Sequence, residues 1–187
     1  MKIVTNRKLI PLLLVSAGLA AASAAHAAEG TITFTGNVIS STCKINGDQA
    51  NVSVALPHVG ANALGSAGAT AGRTPFSLAL TDCASGDENP TKVSVVFESG
   101  ANVDQTTGRL TLDEGTAEAP AAKNVQISIL NDKQQPIKVG AEGDQGSQVV
   151  DIVDGTAQLN YFAEYHATDK AEAGAANSKV QYSLTYQ

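Results

Sequence analysis

Apolar residues alternate with polar ones in many short segments, and this period of two constrains the fold more than any other feature of the chain. Alternating side chains occupy opposite faces of a β-strand. The segments are 32–38, 52–56, 76–80, 93–97, 110–112, 125–129, 149–153, 159–165 and 180–186. No comparable helical stripe is present, although the alanine-rich stretch 117–123 has room for one helical turn. The chain is therefore predicted to be all-β, forming a sandwich or a barrel.

Turn-forming residues separate the predicted strands. Residues 131–134 read Asn-Asp-Lys-Gln between two apolar runs, and Asp154-Gly155 is a hairpin signal. Residues 144–146 give another loop. The Gly- and Ala-rich stretch 60–72 is predicted to be an irregular exposed loop.

The first 27 residues have the pattern of a secretory signal peptide. Lys2, Arg7 and Lys8 precede an apolar stretch from residue 9 to 22, and Ala25-His26-Ala27 matches a small-x-small cleavage site. The apolar stretch is shorter than the roughly 20 residues that a membrane-spanning helix needs. We therefore expect an exported protein without direct membrane insertion.

The mature chain is predicted to be one acidic domain. Removing the three signal cations from the 12 Lys and Arg leaves nine, against 18 Asp and Glu. Nucleic acids and anionic membranes are poor partners for such a chain.

Cys43 and Cys83 are the only cysteines. In an oxidising compartment an isolated pair usually becomes a disulfide, which we predict here. A metal site is the alternative, but His58 and His166 lie far apart in the sequence and lack the close pairing that metal ligands show. No metal and no other cofactor is expected.

The few residues that could carry catalysis have simpler explanations. Glu164 and His166 are two residues apart on one strand face, a pattern that solvated strands commonly show. The adjacent carboxylates of Asp113 and Glu114 precede Gly115 and are expected in a loop. No nucleophile elbow and no phosphate-binding glycine motif is present. We expect no enzymatic activity.

Both ends of the chain carry residues of a known pattern. Gly174 is fourteenth from the end, Val180, Tyr182, Leu184 and Tyr186 alternate, and Tyr186 is penultimate. Residues 30–38 read GTITFTGNV ahead of the first cysteine, and the blocks 74–83 and 125–138 lie between. Together they resemble chaperone–usher fimbrial pilins, in particular major subunits of type 1 fimbriae.

The resemblance implies an incomplete immunoglobulin-like β-sandwich that lacks its final strand and receives a donor strand from a neighbouring subunit. The implied divisions are a signal peptide at 1–27, a donor-strand extension at 28–42 and a pilin domain at 43–187. The donor-strand residues facing the neighbour's groove are Ile32, Phe34, Gly36, Val38 and Ser40. The edge offered to a chaperone or to the donor strand is formed by Gly174, Val180, Tyr182, Leu184 and Tyr186.

The implied function is that of a structural subunit, the major shaft pilin, in an extracellular fimbria that supports adhesion. Its implied partners are identical or related pilins, a periplasmic chaperone and an outer-membrane usher. The alternative is a minor or tip-associated subunit that binds carbohydrate or a surface, although 160 mature residues leave no room for a separate lectin domain. A secreted copper–zinc enzyme on a β-sandwich would need a histidine cluster that two isolated histidines cannot form.

Overall fold

A computed structural model of the chain describes residues 31–36, 43–84 and 89–187. The chain divides into two units, Met1–Asn37 and Val38–Gln187. In the first unit, residues 31–36 have no regular secondary structure, and the side chains of Ile32 and Phe34 are 79% and 89% exposed. The predicted donor-strand residues Val38 and Ser40 lie outside the described residues.

The second unit is built from β-strands, as the alternation predicts. Over the described ranges the strands are β1 (Lys44–Ile45), β2 (Thr70–Thr81), β3 (Lys92–Phe97), β4 (Val103–Asp104), β5 (Arg109–Leu110), β6 (Lys123–Leu130), β7 (Val149–Asp151), β8 (Ala157–Glu172) and β9 (Tyr182–Tyr186). A short 3₁₀ helix spans Ala61–Leu64. In the part of the chain that the structure covers, no helix is long and apolar enough to cross a membrane.

The strands form two sheets whose inner faces share one core. One sheet has the order β1-β2-β8-β6-β5-β4 and the other the order β7-β3-β9. All pairings between these strands are antiparallel. The most buried core side chains come from both sheets and include Leu78, Leu80, Val93, Val95, Leu159 and Tyr161.

Tyr161 stands at the centre of this core. Its ring contacts Phe76 at 5.5 Å and Phe97 at 5.3 Å between ring centroids. Its hydroxyl lies 3.0 Å from the Ser147 hydroxyl, which satisfies the buried oxygen. Burial raises the pKa of Tyr161 to about 12.

Besides residues 31–36, three segments differ from the sequence-based expectations. Residues 51–56 alternate as a strand would, yet they pair with no strand in the described structure. The glycine-rich stretch 60–72 is more ordered than expected, since it contains the 3₁₀ helix, buries Leu64 to 3% exposure and begins β2. Residues 117–123 form no helical turn; they contain an isolated bridge between Ala121 and Ala175, followed by the start of β6.

Candidate functional site

The last strand, β9, lies at the edge of the smaller sheet. It pairs with β3 in a register that sets Val93 opposite Tyr186 and Phe97 opposite Tyr182. Tyr182, Leu184 and Tyr186 are half-buried and pack against the core, whereas Ser183 and Thr185 are exposed. The predicted alternation at the end of the chain therefore has its apolar side inward.

An open groove runs beside β9. Its volume is about 570 Å³. One wall is formed by residues 178–184, and the opposite wall by residues 50–52, 54 and 56. The floor belongs to the core and includes Phe76, Leu78, Ile127, Ile129 and Ala163. The groove is thus an apolar trough between an unpaired strand edge and the unpaired segment 51–56.

Tyr182 links the two walls of this groove. Its hydroxyl donates a hydrogen bond of 2.6 Å to the backbone oxygen of Ala50, 132 residues away in the sequence. Partial burial raises the pKa of Tyr182. The phenol ring therefore spans the trough near the start of β9.

The other end of β9 contacts Cys43, where the described part of the second unit begins. The backbone N–H of Cys43 donates a 3.0 Å hydrogen bond to the Tyr186 hydroxyl. Cys43 is bonded to Cys83 by the predicted disulfide. Cys43 therefore lies beside the C-terminal end of β9, a contact of which the sequence shows only the penultimate tyrosine.

Gly174 lies outside β9, where the backbone is too crowded for a side chain. A Cβ atom at this position would approach the Ala122 nitrogen to 2.4 Å. The neighbouring backbone is fixed by two hydrogen bonds of 2.8 Å, from Ala175 to Pro120 and from Ala122 to Ala175. Gly174 thus allows close backbone packing ahead of the groove and does not contribute to the β9 edge.

The residues considered for catalysis are dispersed. Glu164 accepts a 2.8 Å hydrogen bond from Arg73, and its side chain is 7% exposed. The pKa of His166 is lowered by burial and by Arg109, while Glu164 acts in the opposite direction. Over the described ranges no three His, Cys, Asp or Glu residues are grouped so that they could hold a metal ion.

The family profile described as "Fimbrial protein" matches residues 32–187. The major fimbrial subunit SMF-1 of Stenotrophomonas maltophilia is 45% identical over 173 residues, covering 89% of this chain and 98% of the relative. The F17 fimbrial protein of Escherichia coli is 42% identical, covering 90% of this chain and 93% of the relative. These matches confirm the predicted family.

Solved structures show the same fold. A subunit in a chaperone–usher pilus structure has a TM-score of 0.59 at 23% identity, covering 86% of this chain and 96% of that one. The P pilus rod subunit PapA has a TM-score of 0.58 at 20% identity, covering 78% and 99%. The predicted incomplete immunoglobulin-like sandwich is thus confirmed. The chain belongs to the fimbrial protein family and is, as a member of it, a structural subunit of a surface fimbria and not an enzyme.

Proposed function

We propose that this subunit polymerises by laying its N-terminal arm, residues 28–42, into the groove beside β9 of a neighbouring copy. The observation that carries the proposal is the groove itself. Its floor is apolar, and one of its walls is an unpaired strand edge. Such an edge exposes backbone donors and acceptors and invites strand addition from another chain.

The arm has the composition that this groove needs. Ile32 and Phe34 are exposed in the subunit, and burying each in a neighbour would stabilise the pair by roughly 1.5–3 kcal/mol. Thr31, Thr33 and Thr35 alternate with them and would face away from the floor. Glu29 is the only charged residue between positions 28 and 43.

An antiparallel arm would produce an open fibre. Antiparallel pairing is slightly more stable per residue than parallel pairing, and the named strands of the sandwich pair only in this way over the described ranges. The arm leaves its own domain near Tyr186, and an antiparallel arm would leave the neighbour's groove at the opposite end, near Val180. Successive subunits then stack head to tail, and head-to-tail contacts that do not close generate filaments.

The same groove explains why partners would be needed before assembly. An uncovered apolar edge is an aggregation hazard. We therefore assign a periplasmic chaperone to cover the groove and an outer-membrane usher to exchange the chaperone for the next arm. The chaperone–usher pilus among the structural neighbours supports this assignment by likeness of fold.

A pair of substitutions in the arm tests the proposal. Phe34→Asp places a charge on the face that enters the groove, whereas Thr35→Asp places the same charge on the opposite face. We expect Phe34→Asp to abolish surface fibres and Thr35→Asp to retain them. Both subunits should be exported and form their disulfide. Equal fibre yields from the two variants would refute insertion of the arm with Phe34 inward.

A further inference from the structure

A second cavity of about 330 Å³ lies beyond the start of β9, and we call it the end cavity. It shares Leu56 with the groove, so the two depressions are neighbours. Its lining is mixed. The apolar part includes Val59, Leu64, Val125 and Ala171, from the flank and end of the 3₁₀ helix, the start of β6 and the end of β8, and the polar part includes Glu172 and Asn177. His58 is an exposed residue of the lining.

A hairpin with an exposed valine, Val153, lies at the opposite end of the domain. Val153 and Thr156 close this hairpin through two backbone hydrogen bonds of 2.9 Å, and the Val153 side chain is 60% exposed. The N–H of Cys83 donates a 3.0 Å bond to the carbonyl of Gly155 within it. Because Cys83 is bonded to Cys43, the hairpin stands beside the point where the arm enters the domain.

The length of the arm brings these two features together, if arms insert as proposed above. Six residues lie between Gly36 and Cys43, and the resulting seven extended Cα-to-Cα steps span at most about 25 Å. The donating subunit's Cys43 must therefore lie within that distance of the groove that holds its Gly36. With antiparallel insertion, the nearby surface of the accepting subunit is the Val180 end, where the end cavity lies.

We propose that the end cavity receives the 153–156 hairpin of the donating copy, with the Val153 side chain against the apolar part of the lining. The occupant is a second copy of this chain, and the contact is heterologous, since the two surfaces lie at opposite ends of one subunit. This contact between hairpin and cavity extends the interface that the inserted arm forms with the groove. The contact fixes the angle between successive domains, which the strand pairing alone leaves to the linking residues.

Cross-linking in assembled fibres tests the pairing. Chains carrying both Val153→Cys and His58→Cys are assembled into fibres, treated with a short bis-maleimide and denatured. We expect a ladder of covalent multimers. Val149 is a matched control, because it is also an exposed valine but lies four residues from the hairpin residue. Fibres with Val149→Cys and His58→Cys should give no ladder, and peptide mapping confirms that the Cys43–Cys83 bridge is retained.

A second measurement does not need new cysteines. Val153→Asp should speed dissociation of fibres in denaturant about tenfold, roughly the effect of losing one buried valine side chain, whereas Val149→Asp should leave the rate unchanged. Fibres that form without a ladder and dissociate at equal rates in the two aspartate variants would overturn this contact and leave arm insertion standing. Fibres formed by Phe34→Asp chains would instead overturn both.

Discussion

At the residue scale, Gly36 is the one inward position of the proposed arm that has no side chain to fit into the groove. Gly36 shares the inward register of Ile32 and Phe34, while Tyr182 spans the groove to reach Ala50. The Tyr182 ring takes up part of the groove, so we expect the arm to need a position without a side chain, which Gly36 supplies.

Gly36→Asn should therefore block fibre formation without affecting the fold of the subunit that carries it. Overpacking costs about 1–3 kcal/mol, and burying an unpaired amide adds roughly 1–3 kcal/mol. Thr35→Asn is the control, since its amide would face away from the groove. The measurement is fibre yield from chaperone-bound subunits. A Gly36→Asn subunit that assembles at the wild-type rate, or that cannot fold, would contradict the assignment.

Gly174→Ala should destabilise the domain, because its Cβ would lie 2.4 Å from the Ala122 nitrogen. We expect a loss of roughly 1–3 kcal/mol in the free energy of unfolding, measured by urea titration. Gly100→Ala is the matched control, since no atom lies within 4 Å of the added methyl group. Equal stability of the two variants would show that the 120–122 backbone moves freely.

His166 should make stability fall as the solution becomes mildly acidic. Burial and Arg109 lower its pKa in the folded chain, so the unfolded chain binds the proton first as pH falls below about 6.5. The contribution of His166 to stability is therefore fully present above about pH 6.5. It is lost as the pH falls from that value through the lower pKa of the folded chain. His166→Gln should reduce the difference in unfolding free energy between pH 7.5 and 5.5. An unchanged difference would mean that His166 does not contribute.

At the element scale, the strands were largely predictable and the walls of the groove were only partly so. Alternation predicted β2, β3, β6, β8 and β9 because each has one face in the core. Alternation also predicted a strand at 52–56, where the structure shows the alternating burial but no strand pairing. Pairing depends on a neighbour, and a single sequence does not show whether that neighbour is in the same chain.

Contacts between distant segments were beyond prediction. The sequence marks Tyr182 and Tyr186 as inward residues, but it does not show that one hydroxyl reaches Ala50 and the other binds Cys43. The resemblance to chaperone–usher pilins implies a place for Gly174 at the groove edge, but it does not show that Gly174 packs against the 120–122 backbone. These partners are set by the packing of loops, which alternation does not describe.

The disulfide ties the arm's entry point to the end of β2. It spans 40 residues, for which the loop-entropy account gives about 4 kcal/mol. Replacing both Cys43 and Cys83 by serine should lower the free energy of unfolding by that order, as measured by denaturant titration. Thiol titration of the unreduced, denatured wild-type chain should detect no thiol. Two free thiols per chain would refute the bridge.

At the scale of the whole molecule, the two ends of the subunit have different tasks. Cys43, where the arm joins the domain, lies with the disulfide and the 153–156 hairpin at one end of the domain, and the end cavity lies at the other. A subunit with complementary ends adds to a chain one copy at a time. An isolated subunit leaves its groove uncovered and should be poorly stable.

The melting temperature of a self-complemented subunit tests this central claim most directly. The mature chain is compared with the same chain carrying a second copy of residues 28–42 after Gln187, which can fold back antiparallel to β9. Tethering avoids the cost of bringing a separate partner, so the extended chain should be a monomer that melts far above the plain chain. An extension with Ile32→Asp and Phe34→Asp in the added copy should give no increase. A plain chain that is already a stable monomer, with a melting temperature that the native extension leaves unchanged, would contradict the open-groove account.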